Sequence, residues 1–261
     1  MDQTPFRRGT DAAAFSNDAS AASLQLARLR QFVAPELFDE LGGCGRDDKA
    51  VAADVREVVV VFADLRGYTR FADRYPLERL AEVLDHFHGA MGEAIRAHGG
   101  TLERFTGDGV MVFFPARGLS ATTAEAALAM ASAMHESTRV LAAGWRRDGI
   151  ELGLGIGIAR GLARVGPLGC DWRKDYGAVG RVVNLAQRLC ARAEAGETLV
   201  ERSTLADHPH RAAAARRLRL DGFRQPVEVA RLRSGDDGKL PRMSWAGLLA
   251  KCWFRPIRAF A

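Results

Sequence analysis

The sequence predicts an α+β fold of the split β-α-β kind, and three observations carry that expectation. The run VREVVVVFADL from Val55 is β-branched, of strand length and closed by an acidic turn. After Pro76, Leu77, Leu80, Leu84, Phe87, Met91 and Ile95 recur at three- and four-residue steps. That spacing predicts an amphipathic helix, and His98, Gly99 and Gly100 supply its stop. TLERF and VMVFF then read as two short strands joined by TGDG, with Asp108 in the hairpin turn.

The later elements complete the pattern. Residues 121–143 predict a second helix, with Thr122 or Thr123 as its cap. IELGLGIGIARGLARVG alternates apolar residues with Gly153, Gly155 and Gly157, which has the period of a strand. A dinucleotide-binding loop needs its glycines between strand and helix. Here they lie inside the strand, so they are read as a bare sheet face for close packing. DYGAVGRVVNLAQRL passes from strand to helix, and ETLVE and PVEVARL are two more strands. The order β-α-β-β-α-β with extra strands is the ferredoxin-like arrangement.

Length and composition bound the rest. The 261 residues hold one domain with flanking segments; 48% hydrophobic and 26% charged residues are ordinary for a globular chain. A net charge of +5 and a pI near 9.3 suit an anionic ligand, a nucleic acid or an acidic membrane surface. A nucleic-acid stripe is not expected, because the arginines are scattered and RAAAARRLRL is their one cluster. Cys44, Cys170, Cys190 and Cys252 form no CxxC pair, so they read as idle reduced thiols.

Residues 1–20 lack periodicity and read as unstructured, residues 21–52 as a helical lead-in broken at Pro35, residues 53–233 as the domain and residues 234–261 as a tail. From Lys239 to Ala261 the tail carries five basic and no acidic residues among Trp245, Leu248, Leu249, Trp253 and Phe254. Membrane contact is open to it, but Pro256 shortens any helix and packing on the protein is the favoured reading. No segment reaches the roughly 18 apolar residues of a span, and no leader is evident, so a cytoplasmic protein is expected.

The chemistry centres on two carboxylates. Asp64 ends the first strand and Asp108 sits in the central hairpin turn, and these elements are neighbours in a split β-α-β fold. Paired aspartates suit hard cations such as Mg²⁺ or Mn²⁺, which leave positions open for phosphate. Either aspartate alone reads as a turn former. Asn184 and Arg188 lie four apart, on one helix face. His86 and His88 are two apart on their helix and read as unrelated to the chemistry.

Together VFADLRGYT, RFTGDGVMVFF and YGAVGRVVNLAQRL resemble the class III nucleotidyl cyclase domain over about residues 55–233. The resemblance implies the ferredoxin-like cyclase fold and a homodimer with two interfacial sites. In each site one subunit supplies Asp64, Asp108 and the Leu65 carbonyl to two divalent cations, Mg²⁺ or Mn²⁺. The other supplies Asn184 to orient the ribose and Arg188 to stabilise the transition state. The implied reaction closes a nucleoside triphosphate to its cyclic mononucleotide and releases pyrophosphate.

Two positions depart from the family's purine code, which pairs Lys with Asp or Thr for adenine and Glu with Cys for guanine. Here they are Arg104 and Gly177. Arg104 is a donor-only fork suited to acceptor edges, Gly177 offers no side chain, and Tyr68 adds a hydroxyl within reach of a small base. UTP is therefore the expected substrate and cyclic UMP the product. This resembles the pyrimidine cyclases of bacterial anti-phage defence (Pycsar systems), which implies a separate effector responsive to the cyclic nucleotide. Where the family has a phosphate-binding Lys this chain has Asp221 and Gly222, leaving Arg219 or Arg224 as substitutes. The alternatives are an adenylyl or guanylyl cyclase, and a catalytically silent nucleotide-binding dimer. With no segment read as a sensor, regulation is expected from protein level, a partner or a direct trigger.

Overall fold

The computed structural model describes residues 53–115, 121–206 and 215–233. The expected unstructured start, helical lead-in and basic tail lie outside the described residues, as do Cys44 and Cys252.

Strand β1 (Asp54–Arg66) leads through the short helix α1 (Tyr68–Ala72) into helix α2 (Leu77–His98). The hairpin β2 (Thr101–Phe105) and β3 (Gly109–Pro115) follows, then helix α3 (Ala121–Trp145). Next come β4 (Gly153–Cys170), β5 (Arg173–Val179), helix α4 (Arg181–Arg192), β6 (Glu197–Glu201), β7 (Arg216–Leu218) and β8 (Val227–Arg233). The strand order is β2-β3-β1-β4-β6-β8-β7, with β5 paired to β4. β1 lies antiparallel between β3 and β4, and β6 runs parallel to β4. The expected split β-α-β core is therefore the segment β2-β3-β1-β4. Pro167–Tyr176, at the turn between β4 and β5, belongs to a different compact unit from the other described residues.

The period of two along β1 gives the sheet two faces. Val59, Val61, Ala63 and Leu65 join the apolar cluster formed with Phe87, Met91 and Ile95 of α2 and Met130 and Met134 of α3. Val58, Val60, Phe62 and Asp64 point to the opposite face. On that face the strand glycines do what the sequence suggests. A Cβ at Gly157 would lie 2.2 Å from the Cys190 amide nitrogen and 2.3 Å from the Ala186 carbonyl oxygen, so only glycine lets α4 close onto β4.

Four details differ from expectation. Helix α3 already begins at Ala121, so Thr122 and Thr123 stand inside its first turn rather than capping it. Leu77, read as the first residue of the buried face of α2, is 77% exposed at the helix start, and Val83 is buried in its place. Helix α1 is one turn following Gly67, whose φ of 87° is left-handed and whose absent Cβ would meet the Glu151 carbonyl at 2.9 Å. Part of the basic cluster RAAAARRLRL is strand β7, which pairs with β8.

Candidate active site

The register places Asp64 between two residues with no side chain, Gly109 of β3 and Gly155 of β4. A Cβ at Gly109 would stand 3.0 Å from Asp64 Oδ1 and 2.7 Å from Thr106 Oγ1, so this glycine clears the trough in which the carboxylate lies. The hairpin turn is fastened to the end of β1 by the Leu65 amide, which donates to the Asp108 carbonyl at 2.9 Å. Asp64 and Asp108 are thus neighbours, as the sequence suggests. Burial raises the Asp64 pKa above its ordinary value and the Asp108 charge adds to that rise, while Arg66 opposes it. The Tyr68 hydroxyl belongs to the same neighbourhood: burial pushes its pKa up, and Asp108 pushes it further.

The residues present fit a hard divalent cation. Two mutually repelling carboxylates, one of them partly desolvated, offer oxygen donors whose opposition a cation relieves. Among the described residues no three His, Cys, Asp or Glu side chains gather into a metal site. Backbone oxygen, such as the Leu65 carbonyl, and phosphate would therefore have to complete the shell.

Asn184 and Arg188 are both exposed on α4, while Val182, Leu185, Ala186 and Leu189 bury its other side. They line one cleft of about 460 Å³ together with Arg181, Arg224, Asp221 and Phe223. Of the two substitutes named for a phosphate ligand, Arg224 belongs to this cleft and Arg219 does not line it. Gly222 makes the turn with a φ of 85°. A larger groove of about 720 Å³ shares Arg181, but Arg160 there pairs with Glu57 at 2.8 Å and Arg202 with Glu228 at 2.6 Å. Its positive charge is largely spent on carboxylates, so the smaller cleft is the better anion site.

Arg104 is exposed at a β-bulge in β2, where the register shifts between Leu102 and Arg104. It ion-pairs with Glu103, whose side chain is only 3% exposed. Successive strand residues normally face opposite ways, and the bulge allows these two to meet. Part of the Arg104 fork is therefore already engaged by a buried carboxylate, while the guanidinium itself stays exposed. Gly177 is buried in β5.

Three residues escaped the sequence reading. His88 donates from Nε2 to the Gly107 carbonyl at 2.7 Å and packs on Phe105, so it holds the turn that carries Asp108. The i, i+2 argument separates His88 from His86 but says nothing of a hairpin docking on one of them. Arg181 lies over the Phe223 ring, 4.9 Å from its centroid, and lines the cleft with Asn184 and Arg188. Arg66 pairs with Asp64 at 3.2 Å. Its place two residues on, on the same strand face, was a usable signal.

A sequence model of the adenylate and guanylate cyclase catalytic domain matches residues 50–214, more than half of the chain. This chain belongs to that family. The adenylyl cyclase CyaB from P. aeruginosa superposes on it with a TM-score of 0.64 at 33% identity, covering 69% of this chain and 95% of that one. The guanylyl cyclase Cya2 gives 0.64 at 31% identity, over 69% and 92%. An uncharacterised protein of Mycobacterium tuberculosis is 29% identical over 191 residues, 71% of this chain and 33% of its own length. This cyclase chain thus spans about a third of the length of the first curated relatives it matches. No described helix of the cyclase domain is long and apolar enough to cross a membrane.

Proposed function

We propose that the chain is a class III nucleotidyl cyclase, a homodimer that converts a nucleoside triphosphate to its 3′,5′-cyclic mononucleotide and pyrophosphate. One observation carries this reading. Each chain holds a carboxylate half, Asp64 with Asp108, and a cationic half, Asn184 with Arg188, yet the two sets share no described contact and no lining residue. A second copy placing its cationic cleft against the carboxylates would complete two equivalent sites.

Asp64, Asp108 and the Leu65 carbonyl are the candidate ligands of two divalent cations, which when bound acidify the ribose hydroxyl and offset phosphate charge. The Asn184 amide orients the ribose by hydrogen bonding. The planar fork of Arg188 takes the oxygens of the α-phosphate as charge builds there. Arg224 and Arg181, in the same cleft, hold the phosphates that leave as pyrophosphate.

For the base, the named relatives favour a purine, ATP or GTP, over the UTP that the residue code alone suggests. The Glu103–Arg104 pair weakens the case for uracil, because Arg104 is already partly engaged by a carboxylate. UTP is the second reading, favoured by the missing side chain at Gly177. A role in anti-phage defence, with its separate effector, follows only from that second reading.

The test is purified protein with Mn²⁺ and each of ATP, GTP, CTP and UTP in turn, with products identified by mass spectrometry. Cyclic AMP or cyclic GMP is the expected product. Cyclic UMP would promote the second reading, and no product from any of the four would sink the proposal of an active cyclase.

A further inference from the structure

Arg66 joins two elements that carry different halves of the candidate machinery. Its Nη1 pairs with Asp64 Oδ2 at 3.2 Å, while its Nη2 donates to the Cys190 carbonyl at 2.8 Å. Cys190 lies in the last turn of α4, and its carbonyl also accepts from the Ala193 amide at 3.0 Å. The guanidinium can reach across because Gly155 leaves the space: a Cβ there would stand 2.4 Å from Arg66 Nε. The Cys190 thiol closes the arrangement by donating to the Gly155 carbonyl at 3.3 Å, and burial pushes its pKa up to about 12, so it keeps its proton.

We infer that Arg66 is a positioning residue, a mechanical link through which the charge on Asp64 sets the order of the C-terminal turn of α4. A guanidinium is planar, so its two nitrogens cannot be aimed independently. Asp64 holds one edge of the fork, and that grip fixes the other edge on the Cys190 carbonyl, where a cation also complements the helix C-terminus. Removing or engaging the carboxylate frees the fork and loosens the turn. On the dimer reading given above, Asn184 and Arg188 of this helix serve the cleft opposite to the one that Asp64 serves. Arg66 would then let each cleft sense the state of the other.

The link is tested by amide hydrogen exchange over residues 189–196 of the full chain. Asp64→Ala and Arg66→Met should each speed exchange there by about three- to tenfold, and the double variant should be no faster than Arg66→Met alone, since coupled neighbours are not additive. An Asp64→Ala chain with unchanged exchange, or two effects that multiply, overturns the inference. Arg66→Lys, whose single ammonium reaches one partner at a time, gives the same pattern and serves should Arg66→Met not fold. Mn²⁺ added to the wild-type chain should mimic Asp64→Ala and should leave this segment of Arg66→Met unchanged. If Mn²⁺ has no effect on the wild type while the mutant cycle couples, the Arg66 link stands and the cation reading of Asp64 fails.

Discussion

Replacing Gly157 by alanine should disable the helix that carries Asn184 and Arg188 while leaving the chain folded. The added Cβ would stand 2.2 Å from the Cys190 amide nitrogen, 2.3 Å from the Ala186 carbonyl oxygen and 2.8 Å from Cys190 Cα, where ordinary contact begins at 3.4 Å. All three atoms are backbone of α4, so no side-chain rotation relieves the clash and the helix must withdraw by about 1 Å. Overpacking of this kind costs about 1–3 kcal/mol of stability. A displacement of about 1 Å at catalytic groups costs on the order of 100-fold in turnover. The assay is cyclic-nucleotide formation with Mn²⁺ and the preferred triphosphate, run beside a thermal melt. Gly161→Ala is the control, since its Cβ would meet only the Val182 side chain at 3.3 Å, and it should keep most of the activity. A Gly157→Ala protein with wild-type kcat and an unchanged melt would refute the claim that α4 is seated through these glycines.

Other expectations follow from the same contacts. His135 is buried against Thr198 Oγ1 at 2.9 Å, and burial lowers its pKa from 6.5 to about 4. It stays neutral in the fold while the unfolded chain takes up a proton, so its contribution is intact above pH 6.5 and is lost as pH falls towards 4, by at most about 3 kcal/mol. Melts between pH 7 and pH 4 should show that loss, and a His135→Gln chain should lack this part of it. Gly92 sits within α2, where an added Cβ would have nothing within 4 Å, so Gly92→Ala should raise stability by about 0.5–1 kcal/mol in a urea titration. His88→Phe keeps a ring on Phe105 but drops the hydrogen bond to Gly107. It should raise the Mn²⁺ concentration for half-maximal activity by about fivefold, as suits a lost bond of about 1 kcal/mol.

The sequence made much of this legible, because the fold's strongest signals are local. The β-branched run of β1, the periodic apolar residues of α2 and the glycine stop at residue 99 each state their own conformation, and the strand order followed from them. The Asp64–Asp108 and Asn184–Arg188 pairs were legible because one rests on strand adjacency and the other on helical spacing. What escaped depends on long-range contact. Nothing local in DHFHGAM or ERFTGDG says that His88 docks on the Asp108 turn, or that Arg66 reaches Cys190, 124 residues on. The Glu103–Arg104 pair escaped for another reason. A regular strand would point the two residues apart, and only the bulge, invisible in the residue types, brings them together. Base selection was read from Arg104, Gly177 and Tyr68 without that ion pair, and the purine reading proposed above rests on the named relatives.

The central claim is that one chain's carboxylates work with the other chain's Asn184 and Arg188. The most direct measurement mixes two inactive variants, Asp64→Ala and Arg188→Ala, after unfolding and refolding them together in equal amounts. Each alone should be nearly inactive. In the mixture half of the dimers pair one variant with the other, and each such dimer rebuilds one of its two sites, so about a quarter of wild-type activity should return. A mixture as inactive as its components, in a sample shown to contain mixed dimers, would contradict the account.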